Sequence, residues 1–213
     1  MEADILLEKI AESVRQCRQC RLHLSRKNAV PGAGPANAEI MLIGEGPGFH
    51  ENEQGLPFVG QAGKFLDELL QKGGFAREKV FITNVVKCRP PGNREPQPDE
   101  LEACSSFLEN QIAVINPLVI ITLGRFSMAR YFENAKISTI HGQPAWRDHR
   151  LIIPMYHPAA GLHQPNLKTT IMNDFSHLAE MVEKAKQKHA EQQSQSENNA
   201  IHADDSSTQL SLF

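Results

Sequence analysis

The sequence predicts a three-layer α/β/α domain, and three observations carry that expectation. Four short apolar runs rich in β-branched residues recur along the chain, at 40–44 (IMLIG), 80–86 (VFITNVV), 118–124 (LVIITLG) and 151–156 (LIIPMY). Stretches of helical periodicity follow most of the loops after them, and near-continuous apolar strands alternating with helices imply a parallel sheet covered on both faces. The length of 213 residues suits one domain with a sizeable core and is short for two.

In chain order, Ile5, Leu6, Ile10 and Val14 recur at helical spacing, so the chain opens with an amphipathic helix. It runs into Cys17-Arg18-Gln19-Cys20, and a Gly/Pro loop over 31–35 precedes the first strand. Helical stretches are predicted over 62–72, 98–116 and 125–133, and one over 168–188 closes a domain spanning 1–188. From 189 the sequence turns polar and nearly free of large apolar groups. Such a segment buries too little surface to offset its ordering entropy, which predicts a disordered tail over 189–213.

Composition narrows the function classes. With 40% hydrophobic and 22% charged residues the chain is neither wholly disordered nor collagen-like. No apolar run reaches the roughly 18 residues of a membrane span, and the acidic, periodic N-terminus is unlike a signal peptide. A cytoplasmic monomer is the expectation, and in a reducing compartment four cysteines imply a metal site or chemistry before disulfides. The net charge of −3 is uneven: the tail carries four acids and no Lys or Arg, leaving 22 basic and 21 acidic residues in 1–188. Global charge neither demands nor excludes nucleic acid, since binding follows the local distribution.

Ligands of open parallel sheets bind beyond the carboxyl ends of the strands. Here those ends read Gly44-Glu45-Gly46-Pro47-Gly48, then Asn84 to Cys88-Arg89-Pro90-Pro91, then Gly124-Arg125, then His157-Pro158-Ala159-Ala160. Each segment alone is ordinary turn chemistry; four at equivalent positions predict a site. The glycines are no dinucleotide loop, because Phe49 stands at the third glycine position and the next helix is expected only near Ala62. The cysteines fall in a C-x2-C-x67-C-x15-C spacing. Four thiolates suit either zinc or an iron–sulfur cluster, and spacing alone leaves both open.

Together the segments 44–70 (GEGPGFHENEQGLPFVGQAGKFLDELL), 81–104 (FITNVVKCRPPGNREPQPDELEAC) and 157–160 (HPAA) resemble the family 4 uracil-DNA glycosylases. The resemblance runs in order from Cys17 to about 184. It implies a four-stranded parallel sheet in a uracil-DNA glycosylase-like α/β/α fold, with a [4Fe–4S] cluster on Cys17, Cys20, Cys88 and Cys104. It further implies that Phe58 stacks on a flipped uracil and that Asn84 reads its edge, an amide offering both a donor and an acceptor. His157 matches the histidine whose donor stabilises charge on the leaving base. Glu45 and the backbone around Gly46 match the first motif, with Glu45 the candidate for positioning water. Glu51 fits the family's acid and is expected near the base's C5 edge, where it would help to exclude thymine. DNA contact is expected from Arg89 and from a wedge at Leu162, one residue beyond the usual register, where Gly161 stands. No basic insertion of the kind found in covalently trapping relatives separates Cys88 from Cys104, which implies ordinary turnover.

Two rival functions remain at this stage, a glycosylase for another deaminated base such as hypoxanthine, and a non-catalytic iron–sulfur or zinc module. A ferredoxin-like carrier would cluster its cysteines more tightly than this. Finally, Gln209-Leu210-Ser211-Leu212-Phe213 resembles the pentapeptide by which bacterial proteins dock on the replicative sliding clamp. Leu210, Leu212 and Phe213 would fill an apolar groove while Gln209 sets the register.

Overall fold

β-Branched and aliphatic runs that are buried from end to end pair into the central sheet of the computed structural model, which describes residues 1–147 and 149–208. The elements are α1 (Glu2–Gln16), β1 (Ile40–Gly44), α2 (Phe49–Gln54), α3 (Gln61–Lys72), β2 (Phe81–Asn84), α4 (Pro98–Ile115), β3 (Val119–Leu123), α5 (Arg125–Met128), α6 (Ile137–Ile140), β4 (Ala145–Arg147), β5 (Arg150–Met155), α7 (Pro158–His163), α8 (Pro165–Ser176) and α9 (Leu178–Thr208). The sheet order is β2-β1-β3-β5-β4. The four predicted strands are parallel, and Gly44 pairs with Asn84, so the ends of β1 and β2 finish level. Among the described residues no helix is long and apolar enough to cross a membrane.

Side chains alternate across the sheet, which turns each continuous apolar run into two half-cores. Ile40 and Leu42 pack with Phe65, Leu69 and Phe175 on one face. Met41 and Ile43 pack with Leu108 and Ile115 of α4 on the other. A third cluster gathers Val14 of α1, Leu22, Val86, Cys88 and Cys104, joining the N-terminal segment to the end of β2.

The structure departs from the sequence expectation at four places. A fifth strand, β4, pairs antiparallel with β5 and sets Trp146 opposite Leu151. Three partly exposed residues carry no readable period, so this edge was invisible to patterning. Next, α2 opens directly after Gly48, so a helix does follow the glycines; it is only six residues long, and the missing third glycine still separates it from a dinucleotide loop. The closing helical stretch is two helices meeting at His177, with Phe175 and Leu178 both fully buried against the same core. Beyond 188, where composition predicts disorder, the helix α9 continues to Thr208. No Gly or Pro interrupts 178–208, and Ala, Glu, Gln and Lys favour the helix despite their polarity. Residues 209–213, which carry the clamp-like motif, lie outside the described residues.

Candidate active site

The level ends of β1 and β2 create the site. Gly44 has Asn84 as its sheet neighbour, and a Cβ on Gly44 would fall 2.4 Å from Asn84 Oδ1 and 2.7 Å from Phe58 Cζ. Only the absence of a side chain lets the amide and the ring approach so closely. Phe58 holds φ at 52°, in the left-handed region that a bulky residue rarely enters. The first turn of α3 packs on it so tightly that a Cβ on Gly63 would lie 1.8 Å from the Phe58 carbonyl oxygen.

That strained turn is fixed by Glu51. Its Oε1 accepts the N–H groups of Val59 (2.8 Å) and Gly60 (2.9 Å), and its Oε2 accepts the N–H of Gly48 (3.1 Å). One carboxylate therefore ties the glycine loop after β1 to the loop that presents Phe58.

His157 ends the extended segment after β5 and caps α7. Its Nδ1 accepts the N–H of Ala159 at 3.1 Å. A backbone N–H can only donate, so the neutral ring carries its proton on Nε2. Burial pushes the imidazole down to about 4, with Glu51 opposing the shift. The ring is thus a neutral donor at pH 7. It lies 5.5 Å from the Phe58 ring at 27°, in a stacked arrangement.

Glu45, Gly46, Glu51, Phe58, Asn84 and His157 all line one cleft of about 310 Å³. Asn84 is 1% exposed, and its Oδ1 is buried without a hydrogen-bond partner among the described residues. An orphaned buried acceptor costs roughly 1–3 kcal/mol, so a ligand that donates there is strongly preferred over one that does not. Glu45 is half-buried; its carboxyl is raised above its ordinary range by burial and by Glu95, while Arg125 pulls it back. Arg125 and Glu95 form an ion pair beside it.

Arg89 lies on the loop after β2, its Nε donating to Asn93 Oδ1 at 2.7 Å. Leu162 is 41% exposed on α7, whereas Gly161 is buried and a Cβ there would meet Phe65 Cε1 at 3.0 Å. Position 161 faces the core and 162 faces out. Pro90, Asn93 and Arg94 line the cleft, whereas Arg89 is not among its lining residues; motif reading named Arg89-Pro90-Pro91 and missed Asn93 and Arg94. The run Arg89-Pro90-Pro91-Gly92-Asn93-Arg94, with its left-handed Gly92 and Asn93, was the available signal.

A second group missed by sequence sits behind the cleft. Lys87 is 1% exposed, and its Nζ donates to Thr83 Oγ1 (2.6 Å), the Asn84 carbonyl (2.9 Å) and Gln111 Oε1 (2.7 Å). Burial lowers it to about 7, opposed by nearby Cys104. A lysine in the middle of a chain reads as solvated, so only the apolar run around it hinted at burial.

Cys17, Cys20, Cys88 and Cys104 are free thiols lining one small cavity with Arg26 and Lys87. Arg26 donates to Cys88 Sγ at 3.1 Å, and the Lys87 backbone N–H to Cys104 Sγ at 3.3 Å. Burial pushes the Cys104 thiol up to about 11 and raises Cys20 and Cys88 as well. Among the described residues no three potential ligands are grouped as a single metal ion requires. A single zinc needs all its sulfurs about 2.3 Å from one point. A multi-iron cluster takes one thiolate on each iron, and four thiols spread around a cavity fit that donor arrangement.

The uracil DNA glycosylase superfamily model matches residues 31–186. The chain belongs to that superfamily. It is 46% identical to the type-4 uracil-DNA glycosylase of Sulfurisphaera tokodaii, covering 83% of this chain and 84% of that one. The type-4 enzyme of Thermotoga maritima is 41% identical, over 84% of this chain and 96% of its own. A type-5 uracil-DNA glycosylase of Thermus thermophilus is 36% identical over a smaller share, 46% of this chain and 52% of the relative. The superfamily match runs over the α/β/α body and agrees with the uracil-DNA glycosylase-like fold.

Proposed function

We propose that the protein is a uracil-DNA glycosylase that draws uracil out of the strand and hydrolyses its N-glycosidic bond, leaving an abasic site. The observation that carries this reading is the buried, unpartnered Asn84 Oδ1 set beside the Phe58 ring and a neutral His157. Uracil offers N3–H to that acceptor and O4 to the amide's donor. Cytosine presents the reverse pattern and would leave buried groups unpaired.

Phe58 supplies the stacking face for the flipped base, which must leave the helix at a cost of a few kcal/mol. As the bond from C1′ to N1 breaks, its electron pair passes to the base and negative charge collects on O2. Nε2–H of His157 donates there, a preorganised dipole aimed at the developing charge. Water then adds to the cation-like C1′, oriented by Glu45, and its proton ends on the released base. Glu51 acts through the backbone by holding the Phe58 loop against Gly48. Its carboxylate oxygens are engaged in those bonds, which favours a positioning role over contact at C5.

The protein is further proposed to hold a [4Fe–4S] cluster on Cys17, Cys20, Cys88 and Cys104. The cluster would supply a covalent cross-link between the N-terminal segment and the end of β2. Arg89 would meet DNA phosphates, and exposed Leu162 would fill the gap left by the flipped nucleotide. Gln209-Leu210-Ser211-Leu212-Phe213 is proposed to engage a sliding clamp.

The deciding experiment is base release from oligonucleotides carrying uracil, thymine or hypoxanthine. Uracil alone should be released, and Asn84→Ala should lower kcat/KM by about 100-fold, given the 2–3 kcal/mol carried by two buried hydrogen bonds. Release of hypoxanthine in preference to uracil, or unchanged kinetics in the variant, would refute the reading.

A further inference from the structure

We infer that Phe49 and Arg89 form a stacking platform at the lip of the cleft for the nucleobase that neighbours the flipped uridine in single-stranded DNA. This rests on the glycosylase reading above and extends it to how the substrate strand is held.

Phe49 is 53% exposed. It is the first residue of α2, directly after the cleft-lining Gly48. The guanidinium of Arg89 lies over its ring, 5.2 Å from the centroid, and His50 meets the same ring edge-on at 5.4 Å and 83°. Arg89 reaches over from the loop after β2, where it is held by Asn93 of the same loop, itself a lining residue. The pair therefore bridges the loops that follow β1 and β2, on the rim where a flipped nucleotide must enter. Arg89 is held there by an amide oxygen and not by a carboxylate, so that contact leaves its charge uncompensated.

An isolated exposed Phe needs no explanation. A planar cation fixed over an aromatic ring beside a nucleotide-sized cleft does, because unpaired bases stack on aromatic rings and guanidinium planes alike. In a single strand the neighbours of the flipped residue are free to stack there. In a duplex they stay paired and stacked in the helix, so the platform acts chiefly on single strands.

The test uses full-length protein and single-stranded oligonucleotides in which uracil is flanked by thymines, or by an abasic spacer on one side or the other. For wild type, removing the base on one side should raise KM about fivefold or more, the lower end of what one stacked base contributes. Phe49→Ala should raise KM by a similar factor on the thymine-flanked strand and then ignore that spacer. Phe49→Tyr should behave as wild type, and kcat should move less than about twofold in either variant. A Phe49→Ala protein with wild-type KM, or one that still responds fully to the spacer, overturns the inference. Fluorescence anisotropy with a uracil-free thymine strand separates the two readings. If wild type releases no uracil, the glycosylase reading falls, and the platform is then judged by binding alone. Weaker binding by Phe49→Ala supports it and equal binding overturns it.

Discussion

The imidazole of His157 stacks on the ring of Phe58 with centroids 5.5 Å apart, while its Nδ1 is occupied by the Ala159 N–H at 3.1 Å. The two contacts together fix both the plane and the tautomer of the ring. The second would not survive protonation, since a charged imidazole carries a proton on Nδ1 that faces a backbone N–H.

His157→Ala should therefore lower kcat by about 100- to 1,000-fold, the usual cost of losing one such donor. The folded-state value near 4 lies below the ordinary 6.5, so the unfolded chain takes up this proton first. Stability from His157 is complete above about 6.5 and falls as pH drops toward 4. Between pH 7.5 and 4.5, wild type should lose roughly 2–3 kcal/mol more than His157→Gln in urea titrations. Equal acid sensitivity in the two proteins would show that the imidazole is not held neutral by burial.

Glu51→Gln replaces an acceptor pair by one oxygen and one NH2 group. Three backbone N–H groups then face too few acceptors. Activity should fall tenfold or more, and stability by about 1–3 kcal/mol. The same variant should show no new thymine release. Thymine release would instead assign Glu51 to discrimination at C5.

Purified protein should be brown and contain iron and sulfide in place of zinc. Cys88→Ala or Cys104→Ala should bleach it and lower its thermal midpoint, because Cys88 and Cys104 also pack with Val14 and Leu22. Metal analysis of anaerobically prepared protein decides this; a colourless zinc protein with an intact fold would exclude the cluster.

Deleting 209–213 should abolish binding to a bacterial sliding clamp while leaving excision from short oligonucleotides unchanged. Surface plasmon resonance against immobilised clamp, with both full-length and truncated protein, gives the answer. Undiminished binding by the truncated protein would dismiss the motif.

The parallel sheet and its rim were legible because buried strands, turn glycines and polar strand ends leave local signatures. Glu45, Asn84 and His157 could be placed at strand ends from those signatures alone. What stayed hidden depends on distance in the chain. The clamp of Glu51 on Val59 and Gly60 is a backbone contact with no side-chain pattern. Lys87 satisfies its ammonium with Gln111 from α4, a partner no spacing announces. The tail was read from polarity alone, whereas α9 runs on to Thr208 through a stretch without Gly or Pro.

The network around Lys87 bears on the timing of order at the site. Its Nζ grips the carbonyl of Asn84, while Thr83 and Gln111 in turn bind the carbonyl of Pro31 at 2.9 and 2.8 Å. The backbone beneath the base-reading amide is thus immobilised during folding, before any DNA arrives. A flipped base meets a recognition group whose backbone freedom is already spent, so the entropy of docking falls mainly on the nucleotide. Lys87→Met should accordingly act as a loosening of the receptor, weakening capture of the extruded base more than cleavage once it is seated.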